Sequence, residues 1–181
     1  MSTCVYQQHA CVEALVTPNS SKSPACNSPE RTVSSSVGKT ALHLAAERNQ
    51  AGVIHVLLQW MSNFNSKDGQ GRTALHSAVA LDHIEVVQEM LGASTDGGSV
   101  HLPGAAVDIN VQDELGQSAL HIAAVRGYLR MVELLLQTHQ VDIDLKDHEG
   151  HSALHRAASG GWYDVVEALL KKGANWNVKV G

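Results

Sequence analysis

Eleven histidines stand in this chain of 181 residues, and four of them share one setting. They close the strings Thr40-Ala41-Leu42-His43, Thr73-Ala74-Leu75-His76, Ser118-Ala119-Leu120-His121 and Ser152-Ala153-Leu154-His155. An imidazole can ligate a metal, carry a proton or fix a hydrogen bond, and its neighbours decide which. A zinc site needs three or four donors converging on one point. One histidine per repeat spaces these rings a repeat apart, so no shared metal is expected. His151 and His155 have helical i,i+4 spacing, but His151 precedes the capping Ser152 and no Cys or third ligand lies nearby in sequence. The expected role is structural: each ring bonds loop backbone beside a Ser or Thr that caps a helix.

Other chemistry is sparse. No G-x-S-x-G, P-loop or helix-opening GxGxxG occurs. Glu85, Glu133 and Glu167 fall on second-helix positions and read as a solvated face. Neither catalysis nor a cofactor is expected. The net charge of −5 and the lack of a Lys/Arg stripe argue against nucleic acid. Cys4, Cys11 and Cys26 are odd in number and show no disulfide or CxxC pattern, which suits a reducing compartment. No apolar run reaches membrane-spanning length, and the N-terminus lacks a secretory pattern. The expectation is therefore the cytoplasm or nucleus, with no membrane association.

The elements that position these residues follow from the period. Gly38, Gly71, Gly116 and Gly150 each open a copy, separated by 33, 45 and 34 residues. A period in this range predicts a solenoid, in which each unit covers its neighbour's apolar face. The units run about 38–68, 69–113, 114–147 and 148–181. Each holds two helical patterns. In the third they cover 118–126 and 129–137, and Met131, Val132, Leu134, Leu135 and Leu136 give the second helix an apolar face. Gly127 and the Gly160-Gly161 pair sit between helices, where a positive φ is needed. Between units, Asp68, Asp113 and Asp147 are each followed three residues on by the repeat glycine, which is turn chemistry. The second unit is longer by an insertion at 92–106 rich in Gly and Ser, which lengthens a surface loop at little cost.

Ahead of the units, residues 1–37 read as a flexible Ser/Pro-rich segment. Within it, residues 10–16 form a short apolar stretch. Val12-Glu13-Ala14-Leu15-Val16 parallels Val166-Glu167-Ala168-Leu169-Leu170. A helix capping the first unit and a frayed, unpacked one are the two alternatives.

Residues 38–180 resemble the ankyrin repeat. The resemblance rests on the Gly-x-Thr/Ser-x-Leu-His string, on Leu44-Ala45-Ala46, Ile122-Ala123-Ala124 and Arg156-Ala157-Ala158 in one slot, and on Gly173-Ala174-Asn175-Trp176-Asn177. It implies an all-α repeat solenoid of stacked helix-turn-helix units joined by short β-hairpin loops. The departures are Ala41, Ala74, Ala119 and Ala153 where the family usually has Pro, Ser77 and Val79 in the second unit, and Asp82 where Gly is usual. Trp176 takes the hairpin Val slot and is expected to pack on the last unit. Trp162 is expected to pack partly against Tyr163 or a neighbouring loop, and Arg156 to cap the stack in part.

The resemblance also implies the function: a non-catalytic protein–protein interaction module, scaffold or regulatory adaptor. A partner would lie on the concave side made by hairpin tips and first helices. The variable slots there are Lys39, Arg48, Gln70, Arg72, Leu81, Leu115, Gln117, Val125, Arg126, His148 and His151. Leu81, Leu115 and Val125 would form the centre, with Arg72 and Arg126 as anchors. The alternatives are the ankyrin part of a transcription or signalling regulator, such as an inhibitor of a Rel-type transcription factor, and an enzyme with an unrecognised site. A monomer is expected, with an end-to-end contact through the fourth unit left open.

Overall fold

Each unit begins where a Thr or Ser leaves extended backbone and caps a short helix. In the computed structural model, residues 38–60, 63–95, 107–138 and 140–177 are described. They belong to one compact unit, Thr32–Gly181. The segment 1–37 with its stretch at 10–16, the three cysteines, and residues 96–106 of the insertion lie outside the described residues.

Eight helices occur among the described residues, in four pairs: α1 (Ala41–Glu47) and α2 (Ala51–Trp60), α3 (Ala74–Ala80) and α4 (Ile84–Thr95), α5 (Ala119–Arg126) and α6 (Leu129–Gln137), α7 (Ala153–Gly160) and α8 (Tyr163–Lys171). First helices pack on first helices and second on second, which is the solenoid expected from the period. Helix α4 runs to Thr95, so the insertion assigned to 92–106 starts inside that helix.

One slot stands between the two helices of each pair, and it requires a left-handed residue. Gly127 and Gly161 occupy it at φ 72° and 73°. Asn49 and Asp82 take it at 52° and 56°. Asn and Asp enter this region at lower cost than other side chains, because their short polar groups bond locally. That is why Asp82 substitutes for the usual glycine without breaking the unit.

The loops between units are turns, and no strand residue occurs among the described ones. Asp68 N–H donates to the Arg72 carbonyl at 2.8 Å, and Gly71 N–H to the Asp68 carbonyl at 3.0 Å. The Asp68 carboxylate accepts from the N–H groups of Gln70 and Arg72, both at 2.9 Å. Asp113 does the same for Leu115 and Gln117, and Asp147 for Glu149 and His151. The repeated Asp is thus the acceptor that closes each turn. The turn glycine lets the next loop approach: a Cβ on Gly116 would stand 2.5 Å from His148 N.

The core is a continuous strip of small and branched side chains, from Leu42, Ala45 and Ile54 through Leu75, Val86 and Met90 to Leu120, Leu135 and Leu169. Ser77 is its one flaw. It is buried at the slot held by Leu44 and Ile122, and its hydroxyl has no hydrogen-bond partner among the described residues.

Candidate partner-binding surface

The four repeated histidines are absorbed by the framework. The ring Nδ1 of His43 accepts the Thr40 backbone N–H at 3.2 Å, so the proton sits on Nε2, which donates to the Arg72 carbonyl at 2.9 Å. His76 repeats this with Thr73 and the Gln117 carbonyl, and His121 with Ser118 and the His151 carbonyl. Each ring therefore fastens its own helix start to the following unit. Burial pushes the pKa of His76 and His121 down, opposed by their bonds to the Gln117 and His151 carbonyls. The rings of His151 and His155 do meet, edge to face with centroids 6.0 Å apart. No group of three or more His, Cys, Asp or Glu side chains placed to hold a metal occurs among the described residues. No helix among them is long and apolar enough to cross a membrane.

The variable slots divide into engaged and free groups. Lys39 pairs with Glu47. Arg72, expected as an anchor, instead holds Asp68 of its own turn through its guanidinium, with Nε and Nη2 at 3.3 and 3.1 Å from Oδ2. His151 is half-buried, 3.8 Å from Asp147 and 3.6 Å from Glu149. Gln117 is half-buried, with its backbone carbonyl taken by His76. Arg48, Gln70, Arg126 and His148 are exposed.

Leu81, Leu115 and Val125 are exposed as their slots predict, at 51%, 64% and 43%. Leu81 caps the C-terminus of α3, and Val125 lies in the last turn of α5, the next first helix in the stack. Leu115 stands on the turn that leads into α5. Asp82 and Arg126 follow Leu81 and Val125 directly, so the apolar positions are edged by charge.

One of the two expectations about tryptophan changes. Trp176 does not pack on the last unit; it is 77% exposed, whereas Phe64 and Ile109 in the same slot of the first two units are 6% and 3% exposed, and no further unit covers it among the described residues. Trp162 takes the second of its two expected places, the loop of the neighbouring unit. Its Nε1–H donates to the Val125 carbonyl at 2.9 Å. A Cβ on Gly127 would fall 2.3 Å from its ring, and one on Gly160 would fall 2.5 Å from its Nε1. Two glycines therefore make the space for one indole. The slot itself is legible: His83 occupies it two units earlier, and its Nδ1 bonds the Ala46 carbonyl at 2.8 Å. Arg156 is half-buried and tied to the turn before its helix. It donates to Asp147 at 2.7 Å and to Glu149 at 3.1 Å. Burial raises the Asp147 carboxyl, but the His151 N–H and Arg156 outweigh it and hold its pKa below the ordinary 3.8.

Paired helices with turn-closing Asp, capping Thr/Ser and bridging His define a stacked-repeat solenoid. The family of ankyrin repeats (three copies) matches residues 1–101 and again 98–180, and the chain belongs to that family. The chain is similar to neurogenic locus notch homolog protein 1 of Xenopus laevis, 36% identical over 122 residues. It is 34% identical to the human proteins of that name and of neurogenic locus notch homolog protein 2, again over 122 residues. These alignments cover 55% of this chain and 5% of each relative, so the chain matches a small part of the relatives' length.

Proposed function

We propose that the chain is a non-catalytic protein-recognition module, a scaffold or regulatory adaptor that holds a protein partner on its concave side. The observation that carries this reading is that Leu81, Leu115 and Val125 are the exposed large apolar side chains among the described residues of the inner units. A rigid stack loses little conformational freedom on binding, so a small apolar centre can support useful affinity. Arg48, Gln70, Arg126 and His148 are free to edge the contact, while Lys39, Arg72, Gln117 and His151 position the turns. The cysteine pattern supports the cytoplasm or nucleus as the module's compartment.

Likeness to a small stretch of much longer proteins favours a second reading, in which this stack is the ankyrin part of a transcription or signalling regulator. An inhibitor of a Rel-type transcription factor is one such case.

The test is affinity purification with cross-linking mass spectrometry on the intact chain, beside a triple variant Leu81→Ser, Leu115→Ser, Val125→Ser. A partner captured by the native surface, cross-linked near the first helices and turns, should be lost at least tenfold by the variant while its melting temperature holds. Capture unchanged by the variant, or cross-links confined to residues 1–37, refutes the concave reading.

A further inference from the structure

At the three internal junctions the same slots meet. Leu58, Leu91 and Leu136 occupy one position of the second helix, each 5% exposed because the following unit covers it; Leu170 holds that position in α8 and is 43% exposed. Ile54, Val87 and Val132 are fully buried one turn earlier, whereas Val166 is half-buried. In the first helix, Ala46, Val79 and Ala124 are buried and Ala158 is exposed. His155 accepts from Ser152 like its counterparts, but its Nε2 has no acceptor among the described residues.

A second ladder runs through the turns. The side chains of Asn65, Asn110 and Asp144 accept the backbone N–H of Asp108, Asp142 and Asn175, each in the following unit. Asn177 takes the same place in the fourth unit.

The first unit shows the complementary half. Ala74, Ala119 and Ala153 are fully buried against the unit before them, and Ala41 is exposed. Val86, Met131 and Val165 are buried, as are Met90, Leu135 and Leu169, yet Val53 and Leu57 are only half-buried. The chain therefore carries both sides of the junction that it makes three times internally.

We propose that the face of the fourth unit formed by His155, Ala158, Val166 and Leu170 binds the first-unit face of a second copy of this chain, head to tail, in the register of the internal junctions. In that register His155 Nε2–H donates to the Lys39 carbonyl of the second copy, since Lys39 precedes its cap as Arg72, Gln117 and His151 precede theirs. Leu170 and Val166 seat against Ala41, Val53 and Leu57. The contact joins two different faces, so it does not close by a two-fold axis and adds copies in a row. It leaves the concave side free and does not depend on the function proposed above.

Sedimentation of the intact chain over a concentration series tests this. The average mass should climb with concentration without settling at a dimer. Leu170→Arg and Ala41→Arg change exposed positions, so helical circular dichroism should be unaltered, and each variant alone should stay monomeric. Each keeps one intact face, so an equimolar mixture of the two should form a dimer and stop there. Val166→Arg, also on the fourth-unit face, should reproduce Leu170→Arg if that variant fails to fold. A chain that is monomeric throughout, a dimer that survives Leu170→Arg, or a mixture that stays monomeric overturns the proposal.

Discussion

The junction between the second and third units and the one between the third and fourth share a plan and differ in their ties. Both have a bridging histidine, His76 in one and His121 in the other. Among the described residues, the earlier junction buries Ser77 without a partner for its hydroxyl, and its turn acid Asp113 accepts only backbone N–H groups. The later one adds Arg156 on Asp147 and Glu149, and the Trp162 indole laid over Gly127. The difference teaches that a repeat stack is not uniformly firm. Stability in such a chain is close to a sum of unit and junction contributions, so the later junction should open less often than the earlier one.

The largest break of that contrast is Asp147→Ala. It removes the acceptor of two backbone N–H groups and leaves Arg156 without its buried partner, a loss of about 3 kcal/mol. Asp113→Ala, which breaks no ion pair, should cost about 1 kcal/mol per lost hydrogen bond at most. Denaturant unfolding of the two variants checks the order, and equal losses would mean that Arg156 adds nothing to the later junction.

Next comes the indole. Gly127→Ala forces a side chain to φ 72°, worth about 1–2 kcal/mol, and drives a methyl into the Trp162 ring at 2.3 Å. Overpacking of this kind costs about 1–3 kcal/mol more. Trp162→Ala in the same chain should recover the second part and leave the first. Strictly additive losses in this double-mutant cycle would show that the ring does not rest on Gly127.

How much of this was legible in the sequence depended on whether the cause lay within one unit. The turn Asp, the repeat glycine, the capping Thr or Ser and the bridging His recur in register, so their roles could be read from spacing. Leu81, Leu115 and Val125 could be called exposed because their slots fall outside the apolar pattern. Relations across units were hidden. Arg72 looks free in sequence, but turn closure brings Asp68 against it; Trp162 looks like a helix-opening residue, and only the stacking distance sets it on Gly127. Trp176 fills a slot that is packed at Phe64 and Ile109, yet it stands in solvent because no following unit covers it among the described residues. Gly160 carried a signal that was available: a second glycine before the left-handed Gly161 is one more than the turn requires.

A smaller effect tests the weak side. Ser77→Ala removes a buried hydroxyl with no partner and keeps the close packing of α3 on α5, so it should stabilise the chain by about 1 kcal/mol. A loss instead would mean that the hydroxyl is satisfied in solution, and that the earlier junction is tied after all.

Acid should separate the two junctions least at first, and then in a definite order. The folded-state pKa of His76 and His121 lies below the ordinary 6.5, chiefly because burial disfavours the charged ring. The unfolded chain then binds the proton more readily, so their contribution is whole above pH 6.5 and is lost as pH falls from there through the folded values. Protonation also puts a hydrogen on Nδ1, which must accept the Thr73 or Ser118 N–H. Both junctions carry such a ring, so both should weaken together. Asp147 behaves as a depressed acid: its contribution is present above the ordinary 3.8 and is lost as pH falls through its lower folded value. The later junction should therefore keep its advantage through mildly acidic pH and lose it only below that point. Amide exchange of α3 and α7 followed from pH 7 down to 3 reads both steps. A later junction that fails first, near pH 6, would show that Arg156 and Asp147 do not hold it.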